Sequence, residues 1–231
     1  MLNEENHIVD FLQHLRLLQG VFEVILVDGG SSDRTIEEVA RNIHGFGHPI
    51  RLVKSSPGRA IQMNRGAEEA TGDVFLFLHA DCQIPKDAVN IIERKMSERK
   101  IIGGGFKQTF STPDFFLRLL SAFGNFRTGL TKTFFGDSGI FLRKDTFREI
   151  GGYDEVSFLE DVGLCKKAKR WGELIQINRY VVTSPRRFVT EGKIRTALAF
   201  AIACTLNILG LRPGFLKKYF AKSADIRRNP N

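Results

Sequence analysis

The stretch Val74-Phe75-Leu76-Phe77-Leu78-His79-Ala80-Asp81 (VFLFLHAD, 74–81) is an unbroken apolar run that ends in an acid. It is too short for a helix and too continuous for a half-exposed strand, so it reads as a buried strand of an open α/β sheet. Working outward, VILVD (24–28) repeats the pattern and ends in Asp28. In such sheets ligands bind beyond the carboxyl ends of the strands. Asp28 and Asp81 are therefore expected to face one crevice, where two acids suit a metal or a nucleotide.

Around these runs the pattern alternates. Helix 4–19 carries Ile8, Phe11, Leu12, Leu15 and Leu18 on one face. Strand 22–27, a DGGSSD loop, helix 34–43 and strand 50–54 follow. Helix 59–71 comes after a Ser56-Pro57-Gly58 turn, then strand 73–78, a helix from Pro85 to about Arg99 and a Gly-broken strand 101–110. This strand–helix rhythm predicts a doubly wound sheet. Beyond it the order is irregular: helix 114–130, strand 139–143, a GGY turn at 151–153 and helix 160–171. No linker is visible, so the chain is expected to form one domain over 1–231. Residues 1–110 would be its nucleotide-type half, 111–185 its acceptor and catalytic half, and 186–231 a basic, apolar helical tail.

The net charge is +8. Residues 186–231 hold ten Lys/Arg and two acids, and the remaining 185 residues are balanced. The uncharged stretch 196–211 is short for a membrane span of about 20 residues. Two readings stay open for the tail, a helix packed on the domain or on a second subunit, and peripheral contact of residues 190–231 with an anionic membrane face. The tail has no nucleic-acid-binding motif and few aromatics, which excludes nucleic acid as the expected partner. Cys82, Cys165 and Cys204 are odd in number and widely spaced. That argues for a reducing, cytoplasmic setting, with the inner membrane face as the peripheral option.

Four motifs occur in order: VDGGSSDRT (27–35), GRAIQMNRGAEEATGDVFLFLHAD (58–81), GDSGIFLRKDTFREIGGYDE (136–155) and FLEDVGLCKKAKRWG (158–172). Together they resemble the family 2 glycosyltransferases of the GT-A fold, and within them the radical-SAM/selenodomain-associated transferase 2 group. The resemblance implies a GT-A-like (Rossmann-like), mostly parallel open sheet with helices on both faces and C-terminal helices. It also implies inverting transfer from a nucleoside-diphosphate sugar donor to a hydroxyl or phosphate acceptor, with Mg²⁺ or Mn²⁺ on the diphosphate. Asp81 would hold the metal, and His79 stands where the motif's first acid belongs. Asp161 would be the general base, with Glu160 orienting it or the acceptor. Asp28 would contact the nucleotide base and Arg59 the phosphates. Asn3 and Glu4 would belong to the donor site, Asp137 would lie near the acceptor, and Arg186 and Arg187 would close over the diphosphate. Relatives of this kind open with one more strand before the Leu2-Asn3-Glu4-Glu5 loop, so the first strand is expected to be missing. The alternative reading is a degenerate nucleotide-sugar-binding protein.

Overall fold

The computed structural model describes residues 1–156 and 159–208, so the tail from residue 209 onward lies outside the described residues. The elements are α1 (Ile8–Leu15), β1 (Val24–Asp28), α2 (Thr35–Asn42), β2 (Ile50–Lys54), α3 (Arg59–Glu69), β3 (Val74–Phe77) and β4 (Cys82–Gln83). They continue with α4 (Ala88–Met96), β5 (Ile101–Phe110), α5 (Phe115–Thr131), a 3₁₀ turn (Gly136–Ser138), β6 (Ile140–Arg143) and α6 (Lys144–Glu149). The last are α7 (Glu160–Ala168), β7 (Glu173–Thr183), α8 (Arg186–Glu191) and α9 (Lys193–Ile208).

The α/β class and the crevice-forming strands are as expected, but the pairing is mixed. β1 and β2 form a parallel pair, and β3-β6-β5-β7-β4 form a second sheet. In that sheet β5/β7 is parallel, whereas β3/β6, β5/β6 and β4/β7 are antiparallel. In the five-stranded sheet β3, β5 and β7 run in one direction and β6 and β4 in the other, so the parallel strands expected from the sequence carry two antiparallel insertions. After α5 the chain re-enters beside the end of β5 from which it left. β6 therefore runs backward between β3 and β5, without the end-to-end crossover that a parallel neighbour needs. Among the described residues, β7 and α6 are further elements that the sequence pattern did not signal.

β1 and β3 do not pair with each other. Their facing edges, Val24–Val27 and Val74–Leu78, line a cavity of about 1800 Å³ that extends to Glu4, Asp81, Glu160 and Asp161; Asp28 is not part of its lining. At the end of β1 the Met1 ammonium donates to the Val27 carbonyl (2.8 Å), and Gly29 N–H donates to the Met1 carbonyl (3.0 Å). This is the bonding pattern of a parallel bridge to Asp28. The Gln62 amide of α3 seals it by donating to Met1 O (2.7 Å) and Val27 O (3.1 Å).

The core explains why the apolar periodicity was informative. Ile8, Phe11, Leu12 and Leu15 of α1 are all buried. They pack in one cluster with Leu26, Val39, Phe106 and Phe141. A second cluster joins Phe75 and Phe77 of β3 to Phe147, Tyr153 and Leu164 under α3 and α7. These two clusters fix the strand ends against the starts of α3 and α7.

Candidate functional site

Asp28 is buried at the end of β1, and its carboxylate turns back on the following loop. It accepts from Gly30 N–H (3.0 Å), Ser31 N–H (3.1 Å) and the Ser31 hydroxyl (2.6 Å). Asp28 therefore shapes the DGGSSD loop. That loop in turn holds the N-terminal segment. Asn3 sits in the left-handed region (φ 52°), and its side-chain oxygen accepts from Ser32 N–H (2.9 Å). Glu4 N–H donates to the Thr35 hydroxyl (2.8 Å).

So held, the Glu4 carboxylate meets Arg186 of α8 in a bidentate pair, at 2.8 Å from each guanidinium nitrogen. The same guanidinium lies 3.2 Å from Asp81 Oδ2. The structure thus brings together Glu4, Asp81 and Arg186, three residues far apart in the chain. Bidentate Arg–carboxylate geometry is the strong, specific form of this contact. Arg187 turns away from it: its Nε is 3.3 Å from Glu191, and its guanidinium lies 5.1 Å from the Phe200 ring centroid. Among the described residues, no group of three or more His, Cys, Asp or Glu is placed to hold a metal ion by itself. Asp81 offers one carboxylate, already balanced by Arg186. His79 packs against Gly136, where an added Cβ would lie 2.1 Å from His79 Nε2.

A second acidic cluster lines the same crevice. Leu159, in the left-handed region (φ 60°), turns the chain into α7, and the helix opens with Glu160 and Asp161. Both are buried, Glu160 to 1% exposure and Asp161 to 4%. Carboxylates at a helix N-terminus are stabilised by the dipole. Glu160 Oε1 lies 2.7 Å from Nε of Arg59, the first residue of α3. Asp161 Oδ2 accepts from Gly136 N–H (2.8 Å), while Oδ1 is buried with no hydrogen-bond partner. Burial pushes the Asp161 carboxyl well above its ordinary value, and the Glu160 charge beside it adds to the rise. Asp137, in the 3₁₀ turn, is likewise pushed up to about 6, by burial first and by the Asp81 charge next. Arg59, which sequence alone suggested for phosphate, therefore also serves as the counter-ion of Glu160. Its side chain stays 46% exposed toward the crevice.

Tyr153 is a member of this site that the sequence reading did not single out. Its phenol is buried without a hydrogen-bond partner, and the neighbouring Asp161 and Glu160 charges raise its pKa further after burial. Its backbone is clamped to Asn64 of α3 by two reciprocal 2.9 Å bonds. The signal available was the Gly-Gly before it. Both glycines have positive φ (72° and 62°), and an added Cβ on Gly152 would meet Asn64 Oδ1 at 2.8 Å.

The arrangement is a crevice lined by guanidinium groups and buried carboxylates, with Arg59 beside the Glu160–Asp161 pair and Arg186 beside Glu4 and Asp81. α5 and α9 extend it, contributing Phe123, Arg127, Ala197 and Phe200 to its lining.

Comparison with known proteins follows this geometry. The family model described as Glycosyl transferase family 2 matches residues 1–151. A dolichol-phosphate mannosyltransferase of Pyrococcus furiosus is 30% identical over 91 residues, covering 38% of this chain and 25% of that protein. An undecaprenyl-phosphate 4-deoxy-4-formamido-L-arabinose transferase of Pseudomonas paraeruginosa is 29% identical over 108 residues, covering 44% of this chain and 32% of that protein. The matches thus span about a quarter and a third of these relatives' lengths. Among solved structures, a mannosyltransferase of Pyrobaculum calidifontis in complex with GDP-Man and Mn²⁺ superposes with a TM-score of 0.66 at 19% identity, covering 79% of this chain and 54% of that one. TarS of S. aureus in complex with UDP-GlcNAc gives 0.61 at 18% identity, with 80% and 56% covered.

Proposed function

This chain belongs to glycosyl transferase family 2 and has a GT-A fold, and on that premise we propose that it transfers a sugar, with inversion, from a nucleoside-diphosphate donor to an acceptor oxygen. The observation that carries this reading is Asp161, a buried carboxylate on the crevice lining with one oxygen unpaired and a raised proton affinity. A general base works best with a pKa near the operating pH. As the acceptor hydroxyl attacks the anomeric carbon, its proton passes to Asp161 Oδ1. The bond from that carbon to the diphosphate breaks on the opposite face, and the electron pair leaves with the diphosphate.

The leaving group must be neutralised. Arg186 and Arg59 are the cations positioned for it, whereas Arg187, turned toward Glu191 and Phe200, would have to swing in to close over the diphosphate. Asp81 is the residue that would hold Mg²⁺ or Mn²⁺ together with donor phosphate oxygens, since such ions are often bound through one or two carboxylates plus substrate phosphates. Bound there, the ion would act as a Lewis acid on the departing diphosphate. Asn3 and Glu4 border the donor pocket, Asp28 keeps its loop in shape, and Asp137 faces the acceptor. The names of the two curated relatives support an acceptor of the lipid-phosphate kind. No described helix is long and apolar enough to cross a membrane.

The test is a thermal-shift titration with UDP, GDP and dTDP, each with Mn²⁺ and with chelator. A ligand that binds the native state alone raises apparent stability, by about 2.7 kcal/mol at a hundredfold excess over Kd. One of the three nucleotides is expected to raise the melting temperature with Mn²⁺ present. Arg186→Ala should weaken that binding about tenfold, the loss of one charge-assisted contact. A folded protein indifferent to all three would refute the proposal. The second reading, a binder without transfer, is favoured by His79 in place of an acid. It predicts nucleotide binding with no release of nucleoside diphosphate from any donor sugar.

A further inference from the structure

α5 presents an apolar stripe to solvent. Phe115, Leu119, Phe123, Phe126 and Leu130 are each at least 60% exposed. At 3.6 residues per turn they fall within about 80° of arc. The buried Leu117, Ser121 and Thr128 lie on the opposite side of the helix and face the domain. α9 repeats the arrangement: Ile194, Leu198 and Ile202 form its exposed stripe, and the buried Thr196 and Ala203 lie opposite. Val189 of α8, 67% exposed, lies between the two in sequence. Ten of the fourteen exposed large apolar side chains among the described residues belong to these three helices.

The two helices adjoin. Lys193, the first residue of α9, is ion-paired with Asp114, the N-cap of α5. The helices also share the crevice wall, where Phe200 of α9 stands 6.4 Å from Phe135, which Arg127 of α5 overlies at 4.6 Å.

Charge identifies what this face fits. α5 and α9 contain no Asp or Glu, and they carry Arg118, Arg127, Lys193 and Arg195. On α5 the two arginines flank the stripe, one on either side. Exposed Phe and Leu rimmed by cations is the composition of helices that lie in the headgroup layer of an anionic membrane. A protein partner would have to match this one-signed face with an acidic surface of its own, whereas an anionic bilayer supplies both the negative charge and the apolar layer that the phenylalanines need.

We infer that the α5–α8–α9 face docks on an anionic lipid bilayer, with the phenylalanines of α5 in the interface. The docking surface is thus built into the folded domain itself and is not confined to the basic tail. The inference stands on the exposed stripes and not on the transfer reading, so either can fail alone.

The test is co-sedimentation of the full chain with phosphatidylcholine vesicles, and with vesicles containing about 30 mol % phosphatidylglycerol, a composition in the anionic range that attracts basic segments. The parent is expected to bind the anionic vesicles, less so as salt rises, and the neutral vesicles weakly. The triple variant Phe115→Ser/Leu119→Ser/Phe126→Ser changes exposed positions away from the crevice lining, so its melting temperature should match the parent's. Its binding to anionic vesicles should fall about tenfold or more, as expected when interfacial apolar area is removed. Ile194→Ser/Leu198→Ser should reproduce part of that loss from the other helix. Three outcomes would overturn the inference: no binding of the parent to anionic vesicles, undiminished binding of the triple variant, or a parent dimer that the variant converts to monomer without any change in vesicle binding. Nucleotide titrations without vesicles report on the transfer site separately.

Discussion

The Asp161→Asn protein is expected to release nucleoside diphosphate from its donor about a hundred- to ten-thousandfold more slowly than the parent, the range for loss of a positioned general base. It should bind the nucleotide unchanged and melt at a higher temperature at pH 8. The first effect follows from removing the proton acceptor while the side-chain oxygen can still take the Gly136 N–H. The second follows from the raised carboxyl. An acid whose pKa is higher folded than unfolded holds its proton more tightly in the native state, so native stability falls as pH rises from the unfolded value, about 4, through the raised one. Asn carries no such cost. The two melting curves should therefore coincide near pH 4 and separate as pH rises, with the variant above. Donor turnover and melting temperature measured from pH 4 to 8 check both halves. A variant that keeps its turnover, or melts lower at pH 8, would make Asp161 a structural cap of α7.

Gly104→Ala is expected to cost more than about 4 kcal/mol, the exceptional end of single-residue effects. The Gly103-Gly104-Gly105 run lies in β5, between β6 and β7. A Cβ on Gly104 would stand 2.0 Å from the Ile175 carbonyl oxygen, and one on Gly103 would stand 2.4 Å from the Phe141 carbonyl. Both obstacles are backbone, which cannot rotate away as a side chain can. Separating the strands would break the ladder that joins the two core clusters. Gly124→Ala is the matched control. An added Cβ there meets nothing within 4 Å, and the helical position gains about 0.8–1.0 kcal/mol from the better propensity of alanine. Circular dichroism melts should show Gly104→Ala without a native transition or lowered by more than 10 °C, on the scale of about 2–4 °C per kcal/mol for a chain of this size. Gly124→Ala should be raised by a few degrees. A Gly104→Ala protein melting with the parent would mean that β5 and β7 are not so closely apposed.

Where local sequence decided local structure, the reading was reliable. The apolar runs 24–28 and 74–81, the one-sided faces of α1 and α3, and the acids opening α7 were all legible because each is fixed by residues within one or two turns. β7 was not. Its buried residues Leu174, Ile177, Val181 and Thr183 do not alternate strictly. A register shift against β5 between Phe106 and Lys107 passes from Ile177 to Tyr180 and breaks the period of two. The mixed pairing was also hidden, since strand direction depends on where a distant helix returns the chain. The site divides along the same line. Asp81, Asp161 and Arg59 stand at element ends and follow from the motifs. The Glu4–Arg186 pair joins residues 182 positions apart, and Tyr153 enters the acidic cluster through a tertiary clamp to Asn64. The Glu4–Arg186 pair leaves no mark in sequence spacing, and Tyr153 is marked only by the Gly-Gly before it.

The unpaired edges of β1 and β3 have a consequence for how the molecule opens. Met1 bridges only the last residue of β1. The Ile25 and Val27 amides, which point to the same side as the Met1 bond, meet no strand there among the described residues, whereas Leu26 is turned toward β2. In hydrogen exchange the odd-numbered amides of β1 should lose their protons first, and the β1–β2 pair should separate from the five-stranded sheet as its own cooperative unit. The crevice proposed to take the donor lies at the end of that same seam, with Asn3 and Glu4 on one side and Asp81 on the other. A nucleotide that touches both sides acts as a rivet, so its binding should slow exchange along the full length of β1, well beyond the atoms it contacts.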